Sequence, residues 1–153
     1  MKVIFLDFDG VLNGIEYVKS LGKFGVIVDP IRMELLKSIV TATDAEIVLS
    51  TSWREHWSST PIDCDEIGTQ INKIFRQYKL FIYDKTPDLR FNRTEEIKSW
   101  LANYPQVTQF VILDDAEFTD KQLISHHVKT SDELGGLMPE DALTAIRILT
   151  NVQ

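Results

Sequence analysis

Two pairs of aspartates carry most of the chemistry this sequence can offer. Asp7 and Asp9 flank Phe8 in "KVIFLDFDGVLN", and Asp114 and Asp115 close the run in "VILDDAEF". Each pair follows an uninterrupted apolar stretch, and Gly10 comes straight after the first. Side chains alternate along an extended segment, so Asp7 and Asp9 project to one side while Phe8 turns towards the core. Gly10 then permits a turn that a bulkier residue resists. A lone Asp-Gly is an ordinary turn, but two independent strand-end pairs are not. If both strands are central neighbours, three or four carboxylates meet in one crevice. Such a cluster repels itself unless a cation neutralises it, and hard oxygen donors with room for water suit Mg2+ better than Zn2+.

The elements that must position these residues alternate between strand and helix. Residues 2–6, "AEIVLS" at 45–50, "LFIY" at 80–83 and "QFVIL" at 109–113 are continuous apolar runs, the pattern of strands buried on both faces. Asp29-Pro30 resembles an N-cap followed by an N1 proline, and Ile31, Leu35, Leu36, Ile39 and Val40 follow at helical spacing, predicting a helix over 30–43. Ile67, Ile71, Ile74, Phe75 and Tyr78 give a second amphipathic stretch. Asn92 with Glu95 forms a capping-box pattern ahead of Ile97, Trp100 and Leu101, and Pro139 opens a last helix carrying Leu143, Ile146 and Leu149. The expected fold class is α/β, a Rossmann-like three-layer sandwich with a mostly parallel central sheet. Ligands of such folds bind at the carboxyl ends of the strands near a topological switch point, where both aspartate pairs fall.

Composition narrows the classes further. At 153 residues, 44% hydrophobic and 25% charged, the chain has the makeup of one globular domain, 1–153. A net charge of -7 argues against a general nucleic-acid or membrane-surface binder. The single cysteine, Cys64, excludes an intramolecular disulfide framework. The N-terminal apolar run is too short for a signal-peptide core and no stretch is long enough to span a bilayer. A cytoplasmic protein is expected.

Taken in order, "DFDGVLN", "VLSTSWR", "RTEEIKSWL" and "VILDDAEF" resemble the four motifs of the haloacid dehalogenase (HAD) superfamily of phosphatases. The resemblance implies that Asp7 is the nucleophile, giving an aspartyl-phosphate, and that Asp9 protonates the leaving group and then activates water. It implies a Mg2+ site built from Asp7, the backbone carbonyl of Asp9, and Asp114, with Asp115 acting through water or orienting the other ligands. In the second motif a hydroxyl and nearby amides hold the phosphoryl oxygens. Ser50, Thr51 and Ser52 are all available, and Ser50 and Thr51 follow the apolar run most closely. In the third motif a cation offsets nucleophile and phosphate. Arg93 holds that position where the family more often has lysine, and Lys85 is the alternative.

Other residues are weaker candidates. Arg54 is either a second anion ligand or a surface arginine stacked on Trp53 or Trp57. His126 and His127 point to opposite faces of an extended segment, which is poor chelating geometry and favours packing or solvent contact. His56 is close to the active loops but is not needed for the chemistry. The acidic neighbours of Cys64 hold it back as a nucleophile.

The segments between the motifs are too short for the cap domains of the resembled family, so the site should have a minimal cap or none and admit phosphate carried on a large molecule. Within residues 73–98, seven basic side chains stand against four acidic ones, a local excess able to steer a nucleotide or a nucleic-acid end. The chain is also similar to small capless HAD domains associated with RNA-repair systems and polynucleotide-end phosphatases. Two other functions fit the same residues: a regulatory module that keeps the metal and phosphate site without turnover, and a phosphotransferase to an acceptor other than water.

Overall fold

A computed structural model describes residues 1–151. Among these residues five strands form one sheet: β1 (Lys2–Leu6), β2 (Glu46–Leu49), β3 (Ile82–Lys85), β4 (Gln109–Asp114) and β5 (His127–Lys129). Their order is β3-β2-β1-β4-β5 and every pairing is parallel. The helices are α1 (Ile15–Leu21), α2 (Pro30–Thr43), α3 (Glu66–Gln77), α4 (Arg93–Asn103) and α5 (Pro139–Thr150). This is the expected α/β, Rossmann-like architecture. No helix among the described residues is long and apolar enough to cross a membrane.

The strands read as continuous apolar runs because successive residues feed two different cores. Ile4 and Leu6 of β1, Ile47 and Leu49 of β2, and Val111 and Leu113 of β4 join the core that holds Met33 and Leu36 of α2, Phe75 of α3 and Leu149 of α5. Val3, Phe5, Val48 and Ile112 join the opposite core with Ile97 and Trp100 of α4. The sheet is thereby sandwiched between two layers. Phe8 is buried in the first core, stacked near Phe75 with ring centroids 5.8 Å apart.

Helix α2 starts as its sequence requires: Asp29 Oδ1 accepts from Ile31 N at 2.9 Å, with proline in the first turn. At α4, Asn92 Oδ1 accepts from Glu95 N at 3.2 Å, whereas Asn92 N donates back to Leu89 O, so only half of the expected capping box forms. Helix α5 buries Ala142, Ala145 and Leu149, with Ile146 packed against the same core, and Leu143 faces solvent instead.

The third strand begins two residues later than the apolar run suggested. Lys79 has φ 59° and Leu80 N donates to Phe75 O, so Leu80 closes helix α3 and buries its side chain there. Phe81 is exposed, and β3 starts at Ile82 on the sheet edge. Helix α1 and strand β5 had no clear signature. The helix buries none of its residues, and the strand has three residues.

Candidate active site

Strand register brings the two aspartate pairs together. Leu6 lies opposite Leu113, and Asp7 N continues the ladder to Leu113 O at 3.0 Å, which sets Asp7 beside Asp114 at the carboxyl ends of β1 and β4. Asp7 and Asp114 are buried and Asp115 is half-buried. One oxygen from each of the three lies within 4.8 Å of the others. Arg93, the first residue of α4, reaches in from the opposite layer. Its Nη1 donates to Asp7 Oδ2 at 2.8 Å and to Asp114 Oδ2 at 2.6 Å. Backbone amides take the other oxygens, Phe8 N on Asp7 Oδ1 at 2.8 Å and Ala116 N on Asp114 Oδ1 at 2.9 Å.

Burial dominates the electrostatics. It pushes the Asp7 carboxyl up to about 6, a rise that Arg93 opposes and Asp114 reinforces. Asp115 is raised by burial and then by the charge of Asp114. Burial works against the charge of Arg93, but Asp7 and Asp114 outweigh it and raise its pKa, so the guanidinium stays protonated. With the three acids ionised, they exceed the one guanidinium by two negative charges. The donor set is all oxygen, and a divalent hard cation such as Mg2+ fits both its chemistry and its charge. Gly10 makes the cluster possible. Its φ is +79°, and a Cβ at this position would collide with the Asp115 carboxylate.

Asp9 is exposed, and its carboxylate lies outside that cluster. Oδ1 accepts from Asn13 Nδ2 at 3.1 Å and Oδ2 from Trp53 Nε1 at 3.0 Å. Its backbone carbonyl is what remains for a metal, as the motif resemblance implies.

Of the three hydroxyls after β2, Ser50 Oγ is buried and has no hydrogen-bond partner among the described residues. Thr51 Oγ1 accepts from Trp53 N at 3.4 Å at the head of a short 3-10 turn over Ser52–His56, and Ser52 is exposed. Of the two candidate cations, only Arg93 touches the carboxylates. Lys85 Nζ donates to Arg54 O and Trp57 O, fastening that turn from outside.

Arg54 departs from both expectations. It is buried, with Nη2 on Glu96 Oε1 at 2.8 Å and Nη1 on Thr51 O at 2.9 Å. The same Glu96 oxygen accepts from Leu89 N at 3.0 Å. The pair therefore ties the loop after β2 to the one before α4 and leaves little of the guanidinium for a ligand.

His126 stacks on Phe110 and meets its carbonyl through Nδ1, while His127 Nε2 lies 3.0 Å from Asp114 O. The carbonyl makes Nε2 the protonated nitrogen of His127. His56 pairs with Asp65, and Cys64 Sγ accepts from Ser58 N. Sequence reasoning missed Asn13, Trp53, Glu96 and Thr130. Thr130 Oγ1 donates to Gly10 O at 2.6 Å and secures the turn after Asp9. Asn13 stands inside the first motif, four residues after Asp9, and that position was the available signal.

A parallel sheet with acids at the carboxyl ends of adjacent central strands defines a Rossmann-like domain with a polar site at its switch point. Residues 3–142 match the family described as the HAD domain in Swiss Army Knife RNA repair proteins, and the chain belongs to that family. Membership points to a phosphatase-type hydrolase. No curated protein and no solved structure matches the chain significantly.

Proposed function

We propose that this chain is a single-domain, Mg2+-dependent phosphomonoester hydrolase that works through an aspartyl-phosphate on Asp7. The observation that carries this reading is the Asp7–Asp114–Asp115 cluster with Arg93 bonded across its first two members. An Asp7 oxygen attacks phosphorus in line, the ester P–O bond breaks, and Asp9 delivers its proton to the departing alkoxide. Asp9 then removes a proton from water, which attacks the acyl phosphate and releases inorganic phosphate with the Asp7 carboxylate restored. Arg93 holds the nucleophile and offsets negative charge as the phosphoryl group arrives. The unpartnered Ser50 hydroxyl and the amides around Thr51 are suited to the phosphoryl oxygens. Asp7, Asp114 and Asp115 would hold Mg2+, with the Asp9 carbonyl, and the ion would neutralise the incoming phosphate.

For substrate, we favour a nucleotide or nucleic-acid end. The RNA-repair setting named for the family and the basic excess over residues 73–98 support this. The test is phosphate release from an aryl phosphate and from 3′- and 5′-phosphorylated oligonucleotides, with Mg2+ and with chelator, for wild type and Asp7→Asn. Loss of release in both the chelated sample and the mutant is expected. Full turnover by Asp7→Asn in a contaminant-free preparation would overturn the mechanism.

A further inference from the structure

The loop between β3 and α4 contains an unusual backbone. Arg90 has φ 57° and Phe91 has φ 65°, two successive non-glycine residues in the left-handed region. The other two such residues among those described, Asp44 and Lys79, have an ordinary reason, since each lies where a helix ends. Arg90 and Phe91 instead precede a helix, where nothing in helix geometry asks for this conformation. Backbone held this way persists only where its surroundings over-determine it. Here Leu89 N is fixed on Glu96, Arg90 N on Asp88 Oδ1 at 3.0 Å, and Asn92 caps α4.

The conformation leaves the Phe91 ring in solvent, 86% exposed. An apolar residue just before an N-cap commonly packs on the fourth helical residue. That residue is Glu96, already engaged by Arg54 and Leu89, so Phe91 has no such partner. Phe91 borders two hollows, one shared with Arg93 and Ala116 and the other with Ser52 and Thr86. It therefore forms a ridge at the rim of the site, two residues from Arg93 and within about 7 Å of chain.

We propose that Phe91 is a stacking platform for the nucleobase adjoining the phosphate held at Asp7, with the exposed Arg90 beside it as a cation for the nucleic-acid backbone. This rests on the nucleotide-end reading above. An exposed aromatic ring beside arginines is the combination that grips an unpaired base and its phosphates without reading sequence.

The experiment compares a dinucleotide bearing a terminal phosphate with ribose phosphate lacking a base, using wild type, Phe91→Leu and Phe91→Trp. Phe91→Leu should lose about tenfold in kcat/KM on the dinucleotide, the order expected for one lost base stack, and keep its rate on ribose phosphate. Phe91→Trp should retain the dinucleotide rate. A wild type that prefers the dinucleotide while Phe91→Leu matches it, or while Phe91→Leu loses equally on both substrates, overturns the platform alone. A wild type that treats the two substrates alike, or releases phosphate from neither, overturns the nucleotide-end reading and the platform together.

Discussion

The indole N–H of Trp53 donates to Asp9 Oδ2 at 3.0 Å while the Asn13 amide holds the other oxygen of the same carboxylate. Donors on both oxygens fix the orientation of the proposed proton donor. Trp53→Phe keeps an aromatic side chain, smaller than the indole, and removes one of them. It should lower kcat on the order of tenfold, a fraction of the 10²–10⁴ that acid–base catalysis supplies, with KM little changed. The loss should be larger for an alkyl phosphate than for nitrophenyl phosphate, whose leaving group needs little protonation. Steady-state kinetics on both substrates decides, and equal losses would reduce Trp53 to a packing residue.

The buried Asp7 makes metal-free stability depend on pH. Folding raises its pKa from 3.8 to about 6, so between those values the folded chain binds more protons than the unfolded one. The contribution of Asp7 to metal-free stability should be fullest below that window and be lost as pH rises through about 6, by about 3 kcal/mol in all. Asp7→Asn should flatten this slope in urea titrations. Mg2+ requires the ionised carboxylate, so the stabilisation it gives should grow from about pH 5 to about pH 7.5. A Mg2+-induced shift in melting temperature that is equal at both pH values would count against the site.

The Arg54–Glu96 pair is buried, and removing the Glu96 charge leaves Arg54 with only the exposed Asp88 carboxylate, 3.6 Å away, to offset it. Glu96→Gln should cost about 3–5 kcal/mol in urea denaturation. The double change Arg54→Met with Glu96→Leu should recover most of that loss, because it removes both charges. If the double variant is as unstable as the single one, the pair matters for more than charge balance.

Gly10→Ala should impair the site more than the fold. The new methyl meets the Asp115 carboxylate, and φ +79° disfavours alanine, at a cost of about 1–3 kcal/mol. Mg2+ affinity by calorimetry should fall at least tenfold as Asp115 is displaced, while circular dichroism stays that of the wild type.

Much of this arrangement was legible because its signals are local. Period-two alternation and strand ends placed Asp7, Phe8 and Asp114 before any tertiary information was needed, and Asp29-Pro30 marked the start of α2 to the residue. Arg54 and Glu96 were opaque for the opposite reason: they are 42 residues apart, each looks like a surface charge, and their burial follows only from packing. The indole of Trp53 was equally hidden, since an aromatic near a strand end reads as core until its N–H partner is known. The third strand was misplaced because an apolar residue that closes a helix looks the same as one that opens a strand.

Strand β1 is the first strand in the chain and the middle one in the sheet. Its partner β2 follows after some forty residues, but β4 arrives only at Gln109, so during synthesis one edge of β1 waits unpaired through most of the chain. Asp114 at the end of β4 and Asp115 after it are made last among the carboxylates of the site and meet Asp7 when that edge closes. A ribosome-bound fragment ending before β4 would therefore hold Asp7 and Asp9 but no ion-binding cluster, and the appearance of metal affinity would time the completion of the sheet.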